Sequence, residues 1–129
     1  MRGYVAMTAK EVHEFLASGT FDVSDLYAPT SQFIVDNQDL DDEEIEYTLS
    51  MVAAEDALVM KTADSGIACV LACEIPATII SESHDMSVSL SAPLEWENVD
   101  CLFEVSSDGE ELTWFATQEI AENIQGWLG

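Results

Sequence analysis

The stretch "IACVLACEI", residues 67–75, decides the fold. Ile67, Cys69, Leu71, Cys73 and Ile75 fall on one face of an extended chain, and Ala68, Val70 and Ala72 fall on the other. Both faces are apolar. A strand of this kind belongs in the middle of a sheet covered on both sides. Gly66 precedes it and Pro76 ends it.

Upstream, residues 2–7 are short and apolar and predict a first strand. Thr8 then ends the strand and caps a helix: Thr8 and Glu11 have the spacing of a capping box, Met7 and Val12 that of a hydrophobic staple. Val12, Phe15 and Leu16 form the helix stripe, and Gly19 stands where a C-terminal stop belongs. A short strand is expected over residues 25–29, with Pro29 keeping it at an edge or an end. Thr30 or Ser31 caps a brief helical turn carrying Phe33 and Ile34.

The stretch "QDLDDEEIEY", residues 38–47, holds six acids in ten positions. With Asp41 as N-cap, Glu44 is the third helical residue, and Leu40 and Ile45 take the staple positions. Asp42, Glu43 and Glu44 lie in the first turn, where the helix dipole favours carboxylates. The helix runs to about Lys61. Its body, "YTLSMVAAEDALVM", is apolar on most of its circumference, which predicts burial on more than one side. Either a second helix over the sheet or a subunit contact would supply that cover.

Downstream, Met86, Val88 and Leu90 alternate with serines and predict a strand with one wet face. "APLEWENVD" is a turn anchored by Trp96, "CLFEV" (residues 101–105) a strand, "SSDGEE" a turn and "LTWFA" a last strand. Thr117 caps a final helix with Ile120, Ile124, Trp127 and Leu128 on one stripe. The whole predicts one α+β domain over residues 1–129, with a mixed or mostly antiparallel sheet of five or six strands and about three helices.

The chain carries 26 acids against three cations, Arg2, Lys10 and Lys61, for a net charge of −23. That balance argues against direct contact with nucleic acid or an anionic membrane, both of which need Lys and Arg. At 48% hydrophobic residues the chain has the material for a core. Cys69, Cys73 and Cys101 are an odd count, the first two within an apolar run, which reads as reduced thiols in the cytoplasm. No apolar run suits a signal peptide or a membrane span.

No motif assigns a catalytic, cofactor or metal residue. Counted from Asp39, the positions an EF-hand reserves for Gly and Glu hold Glu44 and Ser50. Cys69 and Cys73 are about 13 Å apart along one strand face, too far to share a zinc ion. Asp100 and Glu104 near Cys101 disfavour a thiolate, and the sequence pairs neither His13 nor His84 with a nucleophile. No Gly-rich phosphate loop occurs. The three tryptophans read as core before interface.

Four stretches, "MRGYVAMT", "DDEEIEY…AAEDAL", "VLACEI" and "LTWFATQEI", resemble a small family of uncharacterised bacterial proteins, chiefly actinobacterial. The family usually has Pro where this chain has Ala6. The resemblance implies a soluble α+β domain with an acidic bias and carries over no catalytic residue.

Three roles follow as expectations. The first is a non-enzymatic domain acting by protein–protein contact, with a basic partner or a second copy of itself. Its contact surface would be Asp39, Asp41, Asp42, Glu43 and Glu46. The second is an acidic mimic of DNA that occupies a basic nucleic-acid-binding protein: acids are dense over residues 36–46 and 95–111, seven in each. The third is a small enzyme using carboxylates, with or without a metal, which requires a concave pocket.

Overall fold

A computed structural model describes residues 1–129. Its centre is β4 (Ala68–Glu74), paired antiparallel with β1 (Arg2–Thr8) on one side and β8 (Val99–Val105) on the other. Every β4 residue but Glu74 is buried. The seven-stranded sheet runs β5-β6-β3-β1-β4-β8-β9, where β3 is Asp25–Tyr27, β5 Ile80–Ser83, β6 Ser87–Leu90 and β9 Leu112–Ala116. All its pairings are antiparallel.

Two cores lie on the two faces of this sheet, as the alternation in β4 requires. Cys69, Leu71, Cys73 and Ile75 pack with α1 (Ala9–Ser18) and α4 (Thr117–Leu128). Ala68, Val70 and Ala72 pack with α3 (Asp42–Met60) and with Phe33 of α2 (Ser31–Asp36). The result is an α+β domain of three layers.

The caps stand where the sequence puts them. Glu11 N–H donates to Thr8 Oγ1 at 3.4 Å while Glu11 Oε1 accepts the Thr8 N–H at 3.2 Å. Gly19 ends α1 in the left-handed region, φ 83°. At α3, Glu44 N–H donates to Asp41 Oδ1 at 2.8 Å, and Glu44 Oε1 accepts the Asp41 N–H at 3.2 Å. Thr30 caps α2 through its hydroxyl.

Three expectations need correction. The cap of α4 is one residue earlier than predicted. Ala116 is its N-cap, and with no side-chain acceptor it makes half a box: its N–H donates to Glu119 Oε1 at 2.9 Å. Thr117 instead ties the helix to β8, its hydroxyl donating to the Val99 and Asp100 carbonyls. Secondly, α3 is not sandwiched. It seats Ile45, Leu49, Ala53, Ala54 and Ala57 on the sheet and leaves Tyr47 and Val59 exposed. The alanines let the helix approach the sheet closely, and no second helix lies over its outer side within the chain. Finally, "APLEWENVD" is more than a turn. β7 (Leu94–Glu95) pairs with β2 (Thr20–Phe21) in a separate two-stranded ribbon, and a short 3-10 turn leads into β8. Trp96 does anchor it, edge-on to Phe15 with ring centroids 5.0 Å apart.

Candidate functional site

One of the chain's three cations sits at the start of β1, and the strand order β1-β4-β8 brings residues from far along the chain around it. Arg2 Nη1 donates to Asp100 Oδ2 at 3.2 Å and Nη2 to the Cys101 thiol at 3.6 Å. Its Nε donates to the Tyr4 phenol at 3.3 Å and lies 3.9 Å from Glu46 Oε1 of α3. The guanidinium is 5.9 Å from the Tyr4 ring centre, at the outer limit of a cation–π contact. Burial works against the Arg2 charge, but hydrogen bonding to Tyr4 and the fields of Tyr4, Cys101 and Glu46 outweigh it and raise its pKa. Burial raises the Tyr4 phenol, opposed by its bond to Arg2. Arg2 is thus committed to internal partners.

Beside this hub runs an open groove of about 340 Å³ between α3 and the β8–β9 hairpin. One wall is α3, with Glu43, Glu46, Tyr47, Ser50 and Met51; the other is Phe103, Glu110 and Leu112, with Arg2 and Tyr4 at the end of the sheet. Tyr47 is 61% exposed although it is a large aromatic side chain. Apolar side chains framed by carboxylates, with the only nearby cation already paired, make a surface suited to a ligand that is both basic and apolar.

Of the predicted contact residues, the groove gathers Glu43 and Glu46. Asp41 is occupied by the helix cap and edges a neighbouring depression with Leu40, Glu44 and Thr48. Asp39 and Asp42 are exposed outside the groove. Sequence reasoning missed Tyr47, Met51, Phe103, Glu110 and Leu112. The available signal was Arg2: among 26 acids, a lone cation at a strand start marks a place where acids converge.

The thiols divide between the two cores. Cys69 and Cys73 share a face of β4, as predicted, and Cys101 lies on the opposite face of the sheet. Burial pushes Cys69 and Cys73 up to about 12, helped by Glu104 for the first and Asp100 for the second. Burial also raises Cys101, against the pull of Arg2 and Trp114. Nowhere do three or more His, Cys, Asp or Glu side chains converge to hold a metal ion.

His84 meets a hydroxyl that its place in the sequence does not reveal. Its Nε2 is 2.8 Å from Ser89 Oγ, and that hydroxyl donates to Asp25 Oδ1 at 2.5 Å. The order is Asp–Ser–His. The serine proton is directed to the carboxylate, so the imidazole serves as donor and not as the base a nucleophilic serine requires. A second slot, about 300 Å³, opens where β1 and β3 part after their single pairing, Tyr4 with Tyr27. The Tyr27 hydroxyl crosses it to donate to the Asp56 carboxylate of α3.

A family model described as a family of unknown function (DUF6912) matches residues 1–107. Three of the four stretches that carry the resemblance lie inside that match; "LTWFATQEI" lies beyond it, in β9 and α4. No curated protein and no solved structure shows significant similarity to the chain.

Proposed function

The chain belongs to DUF6912, a family of unknown function, and from that premise we propose that it is a non-enzymatic binding domain working by protein–protein contact. The partner is a basic protein segment that places an apolar side chain beside Tyr47 and its Lys or Arg against Glu43, Glu46 and Glu110. One observation carries the reading: exposed Tyr47 lies in a groove walled by acids whose only cation, Arg2, is already paired. Charge complementarity of this kind sets both on-rate and partner choice.

The setting we propose is the cytoplasm of bacteria, chiefly actinobacteria, with acidity shared across the family. The three buried free thiols support a reducing compartment, and no helix of the protein is long and apolar enough to cross a membrane.

The test is capture from native-host lysate with the wild-type chain and with a Glu43→Lys, Glu46→Lys, Glu110→Lys variant. A partner held at low salt by the wild type alone, and released as salt rises, supports the groove. Equal capture by both proteins sinks it. If the partner binds nucleic acid and the nucleic acid displaces the chain, the contact is of the DNA-mimic kind.

A further inference from the structure

We propose that β9 is a self-pairing edge, along which two copies of this chain join antiparallel and continue the sheet across a two-fold axis. The proposal stands independently of the groove and rests on the backbone of β9.

The two edges of the seven-stranded sheet are unlike. β5 carries Glu82 within it and an irregularity between Ile80 and Glu82. Such features blunt an edge against further pairing. β9, "LTWFA", has no charge, no proline and no bulge, and its register with β8 is unbroken. Trp114 at its middle is 57% exposed. An uncharged, regular, apolar edge is a template for another strand.

The register shows which groups are open. Ser106 N–H donates to the Glu111 carbonyl at 3.0 Å, so these two residues form a bonded pair at the mouth of the hairpin. Bonded and non-bonded pairs alternate along an antiparallel ladder. With Val105 opposite Leu112, the bonded pairs are then Glu104 with Thr113 and Leu102 with Phe115. Leu112, Trp114 and Ala116 therefore turn their N–H and C=O groups to the free side. The Glu119 carboxylate meets the Ala116 N–H from that side, which agrees with this direction. The donors and acceptors of Leu112 and Trp114 remain for a neighbour.

Those four groups are complementary to their own copy. Placing Thr113 opposite Thr113 sets Leu112 against Trp114 of the second chain, and each such pair exchanges both of its hydrogen bonds. A register centred on Trp114 would instead need the Ala116 N–H that Glu119 already holds. In the Thr113-centred register Glu111 faces Phe115 and Glu110 faces Ala116, so no strand residue sets acid against acid; the Glu119 carboxylate at the Ala116 N–H is the acid brought nearest Glu110 of the other chain, a repulsion that salt screens. Leu112 and Trp114 project on the α3 side of the sheet, where each Trp114 covers the other chain's Leu112. Between chains of charge −23, an uncharged edge is where close approach meets least repulsion. The pairing also brings the two grooves, each bordered by Leu112, onto one face on either side of the axis.

The experiment is sedimentation velocity over a concentration series at low and high salt. The chains used are wild type, Leu112→Pro and Trp114→Glu. Proline removes the outward Leu112 N–H and leaves the inward bonds of Thr113 intact, and position 114 is exposed, so both variants keep the fold, checked by circular dichroism and melting. The wild type is expected to shift from one-chain to two-chain mass, further at high salt, because screening relieves the repulsion. Both variants should lose the shift. A wild type that stays at one-chain mass throughout, a pair unaffected by both variants, or open-ended growth beyond two chains would overturn the proposal. The salt response is opposite in sign to that of a basic partner in the groove, so the two readings fail separately.

Discussion

The carbonyl oxygen of Trp127 lies 2.5 Å from the point where a Cβ on Gly66 would stand. The same carbonyl accepts the N–H of Ile67 at 3.1 Å, so the end of α4 is bonded directly to the chain entering β4. Gly66 has φ +75°, and its added Cβ would also meet Ala9 Cβ at 2.8 Å. Gly66→Ala should therefore cost about 3 kcal/mol, from left-handed strain plus overpacking against backbone. Gly126→Ala, with nothing within 4 Å, should instead gain about 0.5 kcal/mol. Urea midpoints for the two variants check this, and a Gly66→Ala variant as stable as wild type would refute the close approach.

Asp41 holds the first turn of α3 through a reciprocal bond with Glu44. Asp41→Ala should lower stability by about 1 kcal/mol, and Asp41→Asn by much less, since Asn caps nearly as well. An unchanged melting temperature in the alanine variant would contradict this role.

Cys69 and Cys73, pushed up to about 12 chiefly by burial, should alkylate slowly in the native protein. A thiol raised from about 9 to about 12 holds about a thousandfold less thiolate at neutral pH. Iodoacetamide labelling, read peptide by peptide in native buffer and in urea, measures the ratio. Arg2→Gln should move the pH midpoint of Cys101 labelling upward, because the guanidinium opposes the effect of burial there. A downward shift would contradict the contact.

The Tyr27 phenol, donating to the Asp56 carboxylate, is pushed up to about 12 by that bond first and by burial second. A phenol whose folded pKa exceeds its unfolded one adds stability that is complete below about pH 10. That share is lost as pH rises from about 10 through 12. Tyr27→Phe should thus be less stable than wild type at pH near 8, with a gap that has narrowed to about half by pH near 11, and the effect is modest because the Asp56 partner is exposed. Urea melts of both chains at the two pH values decide it; a gap that widens at high pH would reverse the sign.

The elements written in local chemistry were legible in the sequence. The alternation in β4, the Thr8–Glu11 and Asp41–Glu44 boxes, and Gly19 at the end of α1 are all short-range patterns, and each is where the pattern places it. Two-residue strands such as β2 and β7 carry no periodicity and are defined only by each other. Thr117 looked like a cap because hydroxyls usually are, yet its hydroxyl is recruited by β8 and the job passes to the Ala116 backbone. The hub around Arg2 depends on strand order: Arg2 and Cys101 are 99 positions apart and meet only because β4 is flanked by β1 and β8. Glu43 and Glu46 were visible as acids of α3, but the opposite wall of the groove was not, because hairpin placement is a tertiary fact.

The single pairing of Tyr4 with Tyr27 has a consequence for how the molecule breathes. β1, β4 and β8 are laced together over long registers, whereas β3, β5 and β6 join them through that one position. Backbone cooperativity is weakest at such a seam, and the three outer strands form a unit that can open while the rest stays closed. Amide protons of β3 and β6 should accordingly exchange with deuterium through a low-energy partial opening, while those of β4 wait for global unfolding.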